Sequence, residues 1–208
     1  MASKQVKYGA VISYALIFLN ATYGLLLTPY IIQMIGQTDY GVYKTISSLT
    51  AALMVLDLGL GGTMMRYIAK YRADKEEHKI SNFVFMGVVQ AGAVCVLIAV
   101  VTSILYFFLD TIYQTGLSEP GQMEMAKQLY VFLAVGMIAH IIENLFNGVI
   151  SGYNKFIFAN GIKIARLLIR ILLVIVFLQV YKSPLTLVLI DLFCTLGFVF
   201  IEFLYCFS

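Results

Sequence analysis

The side chains of this chain that could do chemistry are polar and charged groups set inside long apolar runs. His140, Glu143, Asn144 and Asn147 follow at i, i+3, i+4 and i+7, the spacing that places four side chains on one helical face. Asn160, Lys163, Arg166 and Arg170 fall within one sector of the helix that comes next. Asp57 and Asp191 each stand near the middle of an apolar stretch, and Asn20 with Tyr23 adds neutral hydrogen-bonding groups facing an interior surface of an earlier one. Groups of this kind bind ions and anionic headgroups, or tie helices together by hydrogen bonds. They make no catalytic constellation: there is no phosphate-binding glycine loop, nucleophile elbow or metal-ligand set. His140 has no second His or Cys at metal spacing beside it. The chain therefore reads as a protein that is not an enzyme and uses neither cofactor nor metal.

The elements that must position these groups are membrane spans. Hydrophobic residues make up 61% of the 208 and charged ones only 12%, with mean hydropathy +0.91. A soluble globule has an apolar share nearer 45–50%, so the fold class is all-α and polytopic. A span needs about 20 mainly apolar residues. Six are expected, at Tyr8–Ile35, Tyr43–Ala69, Phe83–Leu109, Gln128–Ile150, Phe156–Tyr181 and Leu185–Phe207, forming one bundle over residues 1–208. The first is too long, and lacks the cleavage site, to be a removable signal peptide. Cys95, Cys194 and Cys206 lie in apolar stretches and read as small core residues rather than a disulfide framework. The connections include a strongly charged turn, KYRADKEEHK, an acidic, turn-rich one, DTIYQTGLSEPGQME, and a short one, SGYNK.

The net charge of +3 reports orientation rather than a nucleic-acid partner, because the basic residues sit between spans. With the N-terminus inside, Lys4, Lys7, Arg66, Lys70, Arg72, Lys75, Lys79, Lys155 and Lys163 fall on the inner side and Lys44, Lys127 and Lys182 on the outer. That asymmetry is the positive-inside pattern and predicts a cytoplasmic N-terminus. The chain stops at IEFLYCFS, at the end of an apolar run without a basic anchor or soluble tail, so a piece of a longer protein is expected.

Each polar group at membrane depth admits two readings. An ionised carboxylate there costs about 2.5–3.5 kcal/mol on insertion scales and normally faces a polar interior. Asp57, followed by Gly59, Gly61 and Gly62, either lines such an interior beside a flexible, closely packed segment or caps a broken helix whose glycines only serve packing. The His140 stripe looks into a cavity or makes interhelical hydrogen bonds. Because the fourth and fifth spans form a hairpin through SGYNK, Glu143 and Arg166 are expected at similar depth, as a pair. Arg166 and Arg170 either snorkel or meet an anionic headgroup, while Lys163 and Glu202 read as interfacial. Pro29 is expected to kink the first span. Gly87 within GVVQAGA and the Gly148/Gly152 pair are expected to serve close helix packing.

Over the first two spans, the opening YGAVISYALIFLN, the proline of LLLTPYIIQMIG, the Tyr40-Gly41 and Tyr43 turn, and LDLGLGGTMMRYIAKY from Leu56 to Tyr71 together resemble one family. It is that of the lipid-linked oligosaccharide, or O-antigen, flippases of bacterial polysaccharide biosynthesis, in the superfamily of the multidrug and toxic-compound extruders. The resemblance implies an inner-membrane transporter that flips an undecaprenyl-diphosphate-linked oligosaccharide by alternating access. It implies two six-helix lobes, of which this chain corresponds to the N-terminal one, with a C-terminal lobe or a second copy and membrane lipids as partners. The substrate path would then draw on Asn20, Tyr23, Asp57, His140, Glu143, Asn144, Asn147, Arg166, Arg170 and Asp191, with Pro29, Gly59, Gly61 and Gly62 as hinge and packing positions. A cation-coupled drug exporter using Asp57, Glu143 and Asp191, and an assembly subunit or glycan polymerase without transport, are the alternatives.

Overall fold

A computed structural model describes residues 2–57, 59–113, 116 and 121–207, with side chains from residue 11 to residue 206 among them. Over these residues the chain is helical: α1 (Ala2–Ile35), α2 (Gln37–Leu53), a 3-10 turn (Met54–Asp57), α3 (Leu60–Ala73), α4 (Glu77–Ile112), α5 (Gln122–Gly152), α6 (Phe156–Val180) and α7 (Pro184–Phe207). The side chains of Lys4 and Lys7, and most of the connection between α4 and α5 (Gln114, Thr115 and Leu117–Pro120), lie outside the described residues. α1 runs without interruption through Pro29. The turns through Lys75 and Asn154 share one end of the bundle, each with a single left-handed residue.

The second expected span departs from a continuous helix. It breaks into α2 and α3 around Met54–Asp57, where the backbone tightens to a 3-10 turn. Gly59, at φ 69 and ψ 34, then adopts the left-handed conformation, which a Cβ would disfavour. Taken together, Gln37–Ala73 is still long and apolar enough to cross a bilayer, as are Val11–Ile35, Glu77–Ile112, Gln122–Gly152 and Pro184–Cys206. At 25 residues α6 has the length, about 37 Å at 1.5 Å per residue, but carries three basic side chains.

α5 is the hub, packed against α7, α3, α4, α2 and α6, and three apolar clusters surround it. One joins α3, α4 and α5 through Met64, Ile68, Ile98, Ile141 and Leu145. Another joins α1, α6 and α7 through Leu27, Val174, Leu178 and Leu187, and the last holds α2 to α4, α5 and α7 through Ile46, Leu109, Tyr130 and Val188. Large apolar residues such as Leu25, Phe85 and Phe107 stay exposed on α1 and α4, as surfaces facing lipid do.

α3 runs parallel to α5 at very close range. A Cβ on Gly148 would stand 2.5 Å from the Gly61 carbonyl oxygen, and one on Gly61 2.6 Å from that of Asn144. Gly152 meets Ile68 in the same way, and Gly87 meets Met64. Gly62, by contrast, has nothing within 4 Å of its would-be Cβ, so no close helix approach requires a glycine there. The close seam fixes the register that brings the break at Asp57 opposite the polar stripe of α5. Cys95, Cys194 and Cys206 are free thiols.

Candidate functional site

The four polar residues on α5 each reach a different neighbour. Glu143, almost fully buried, receives Arg166 of α6, whose Nη1 lies 2.5 Å from Oε1 and 2.6 Å from Oε2. His140 Nδ1 stands 3.1 Å from Glu143 Oε2. Asn144 Nδ2 donates to Asp57 Oδ2 at 3.2 Å, and Asn147 Nδ2 donates to Glu202 Oε1 at 3.3 Å. Glu143 and Arg166 therefore meet as the hairpin depth requires, and Asp57 is held at the broken helix by an amide from α5.

A second pair lies one turn further along α6. Arg170 Nη2 donates to Asp191 Oδ2 of α7 at 2.7 Å, and its Nε stands against Oδ1. Thr195 links the two pairs: it accepts from Arg166 Nη2 at 2.7 Å and donates to the Asp191 carbonyl oxygen at 2.7 Å. The Arg170 guanidinium also lies 5.2 Å from the centre of the Tyr23 ring, within reach of a cation–π contact. Two acids and two bases on three helices thus form one network without net charge.

Beside this network a cavity of about 280 Å³ opens between α2, α5 and α7, with His140, Arg166, Asp191 and Thr195 on one wall and Tyr43 and Ser47 on the other. The arrangement offers hydrogen-bond donors and acceptors inside an apolar bundle. Both guanidinium groups already hold a carboxylate, so neither is a free anion receptor.

Several placements differ from the sequence reading. Glu202 is not interfacial but fully buried, because α7 turns it against Asn147. Asn20 is exposed on α1 and donates to its own Leu16 carbonyl at 2.9 Å, so it joins neither the network nor an interior surface. Asn160 likewise stands apart, bonded to Ser13 of α1 at 2.9 Å. Thr195, Tyr43 and Ser47 were missed. Thr195 was readable, since it follows Asp191 by four residues on an otherwise apolar helix and so shares its face.

Comparison with known proteins adds two findings. The family model MatE matches residues 13–176, which takes in the break, the stripe on α5 and both arginines of α6. A protein of Salmonella typhi named "Putative O-antigen transporter" is 21% identical over 125 residues, covering 56% of this chain and 28% of that protein's length. No solved structure matches the chain.

Proposed function

The chain belongs to the MatE family of membrane transporters, and from that premise we propose that it serves to carry a lipid-linked oligosaccharide across a bacterial inner membrane. In this reading it is the N-terminal six-helix lobe of an alternating-access transporter, facing a C-terminal lobe or a second copy across the cavity. The observation that supports the proposal is the neutral network of Glu143, Arg166, Asp191 and Arg170, of which Arg166 and Asp191 line the cavity and Glu143 and Arg170 stand behind them as their ion-pair partners. A hydrophilic headgroup crossing a membrane must be sheltered from hydrocarbon, and a polar wall without net charge gives shelter without trapping it. The likeness to the Salmonella typhi protein supports a glycan cargo.

Deleting the gene from its own host is expected to strip the glycan from the cell surface and leave its lipid-linked precursor on the cytoplasmic side. Wild-type protein restores display, and Glu143→Gln or Arg170→Gln at equal membrane abundance does not. Full restoration by both variants would sink the proposal. A second reading, cation-coupled drug export, is favoured by Asp57, whose enclosed Oδ1 has no hydrogen-bond partner among the described residues. Loss of ion-dependent dye efflux with intact surface glycan would establish it instead.

A further inference from the structure

A second cavity, of about 710 Å³, lies on the other side of α5, between α4 and α7, at the end that carries the Lys75 and Asn154 turns. Its volume falls within the roughly 300–1,000 Å³ of small-molecule sites. It belongs to no part of the network described above. The walls are apolar: Val84 and Val88 from α4, Leu145, Phe146 and Val149 from α5. The mouth is polar, with Glu77 at the start of α4 and Lys155 at the start of α6.

Its depth is informative. From Glu77 to Val88 is eleven residues, about 16 Å of helix. Half of a bilayer's hydrocarbon core is about 15 Å. With the span beginning at Phe83, the groove thus starts in the headgroup region at Glu77 and reaches about 8 Å into the hydrocarbon of one leaflet at Val88. Its mouth lies at the basic end of the bundle, which the positive-inside rule places at the cytoplasmic face.

The charges at the mouth select the headgroup. Neither Glu77 nor Lys155 has an ion-pair partner among the described residues, and Arg72 stands close by, 5.0 Å from the centre of the Tyr153 ring that also lines the groove. Cations beside a carboxylate complement a phosphate beside an ammonium. A diphosphate headgroup would bring its extra charge against Glu77 and gain less. We propose that this groove binds a zwitterionic aminophospholipid of the phosphatidylethanolamine type from the adjoining leaflet. Its phosphate sits on Lys155, its amine on Glu77, and an acyl chain lies along α4 and α5. This site is independent of the transported cargo.

The chain contains no tryptophan, so a single introduced one reports on its surroundings. Phe146→Trp is placed inside the groove, and Phe85→Trp, on the freely exposed face of α4, serves as control. Each full-length variant is reconstituted in bilayers containing phosphatidylethanolamine, phosphatidylcholine or phosphatidylglycerol with brominated acyl chains. Half-maximal quenching of Phe146→Trp is expected at a several-fold lower mole fraction of the ethanolamine lipid than of the other two. Phe85→Trp is expected to respond equally to all three. Adding Lys155→Gln or Glu77→Gln should abolish the preference at Phe146→Trp without changing Phe85→Trp. Tyr205→Trp, also in the groove, repeats the test should Phe146→Trp misfold. Equal quenching of the groove reporter by all three lipids would overturn the proposal in favour of ordinary annular lipid. Protection of the groove reporter from every lipid would overturn it in favour of a second copy or another helix as occupant.

Discussion

Removing Arg166 should damage the protein more than removing its partner, and removing both should damage it less than removing Arg166 alone. Glu143 is 6% exposed at its side chain and Arg166 25%. Arg166→Gln strands a nearly buried carboxylate whose one remaining side-chain partner among the described residues is His140. Glu143→Gln leaves a guanidinium that still holds Thr195 and borders the cavity. Breaking a buried pair by removing one member costs about 3–5 kcal/mol, mostly for the uncompensated charge. That range is assigned to Arg166→Gln, with Glu143→Gln below it. The double variant Glu143→Gln/Arg166→Gln leaves no such charge and two amides that can bond each other. At roughly 2–4 °C per kcal/mol for a chain of this size, Arg166→Gln lowers the melting temperature by roughly 6–20 °C, and the double variant recovers much of that loss. Thermal unfolding of the four proteins in one detergent, each followed by size-exclusion chromatography, reads the full cycle. Independent sites add within about 0.3–0.5 kcal/mol. Additivity of that quality, with the double variant the least stable of the four, would refute the pairing argument.

Two further substitutions test the packing around α5. Gly148→Ala forces a Cβ against the Gly61 backbone and is expected to cost about 1–3 kcal/mol as overpacking. Gly62→Ala, which meets nothing, is expected to leave the melting temperature unchanged or raise it, and the reverse order would contradict the helix seam described here. Asn147→Ala removes the hydrogen bond to fully buried Glu202, and the orphaned acceptor should cost about 1–3 kcal/mol, measured as a lower melting temperature. No change would show that Glu202 is satisfied some other way.

Much of the site was legible because helical hairpins conserve depth. Glu143 lies eleven residues before Asn154 and Arg166 twelve after it, so their side chains meet. The same count across the next turn puts Arg170 twelve residues before Lys182 and Asp191 nine after, a mismatch of about 4.5 Å that a long arginine spans. Glu202 was misread for a related reason. Near a helix end, depth alone suggests the interface, yet Glu202 follows Thr195 by seven residues. Two turns of helix return it to the same buried face. Asn20 erred the other way: a polar residue at membrane depth was expected to look inward, but its amide is satisfied by its own helix. The break at Asp57 was half visible. The glycines signalled weakness, but a left-handed Gly59 and a 3-10 turn are choices of backbone that side-chain periodicity does not encode.

α6 shows what a tally of charges leaves out. Counted singly, Lys163, Arg166 and Arg170 make it too polar to span, since each arginine or lysine at the centre of a membrane helix is charged about 2.5–3.5 kcal/mol on insertion scales. That count assumes that each cation faces hydrocarbon alone. Here Arg166 meets Glu143 from α5, and Arg170 meets Asp191 from α7. The desolvation of four ions is offset by two close pairs and by the Thr195 hydroxyl that joins them. Lys163, only half-buried and nearer the helix start, can extend toward the interface. The helix is compatible with a membrane only in the company of its two neighbours. Its hydropathy alone therefore understates it, and the acids on α5 and α7 that would count against their own helices are part of what would let α6 cross.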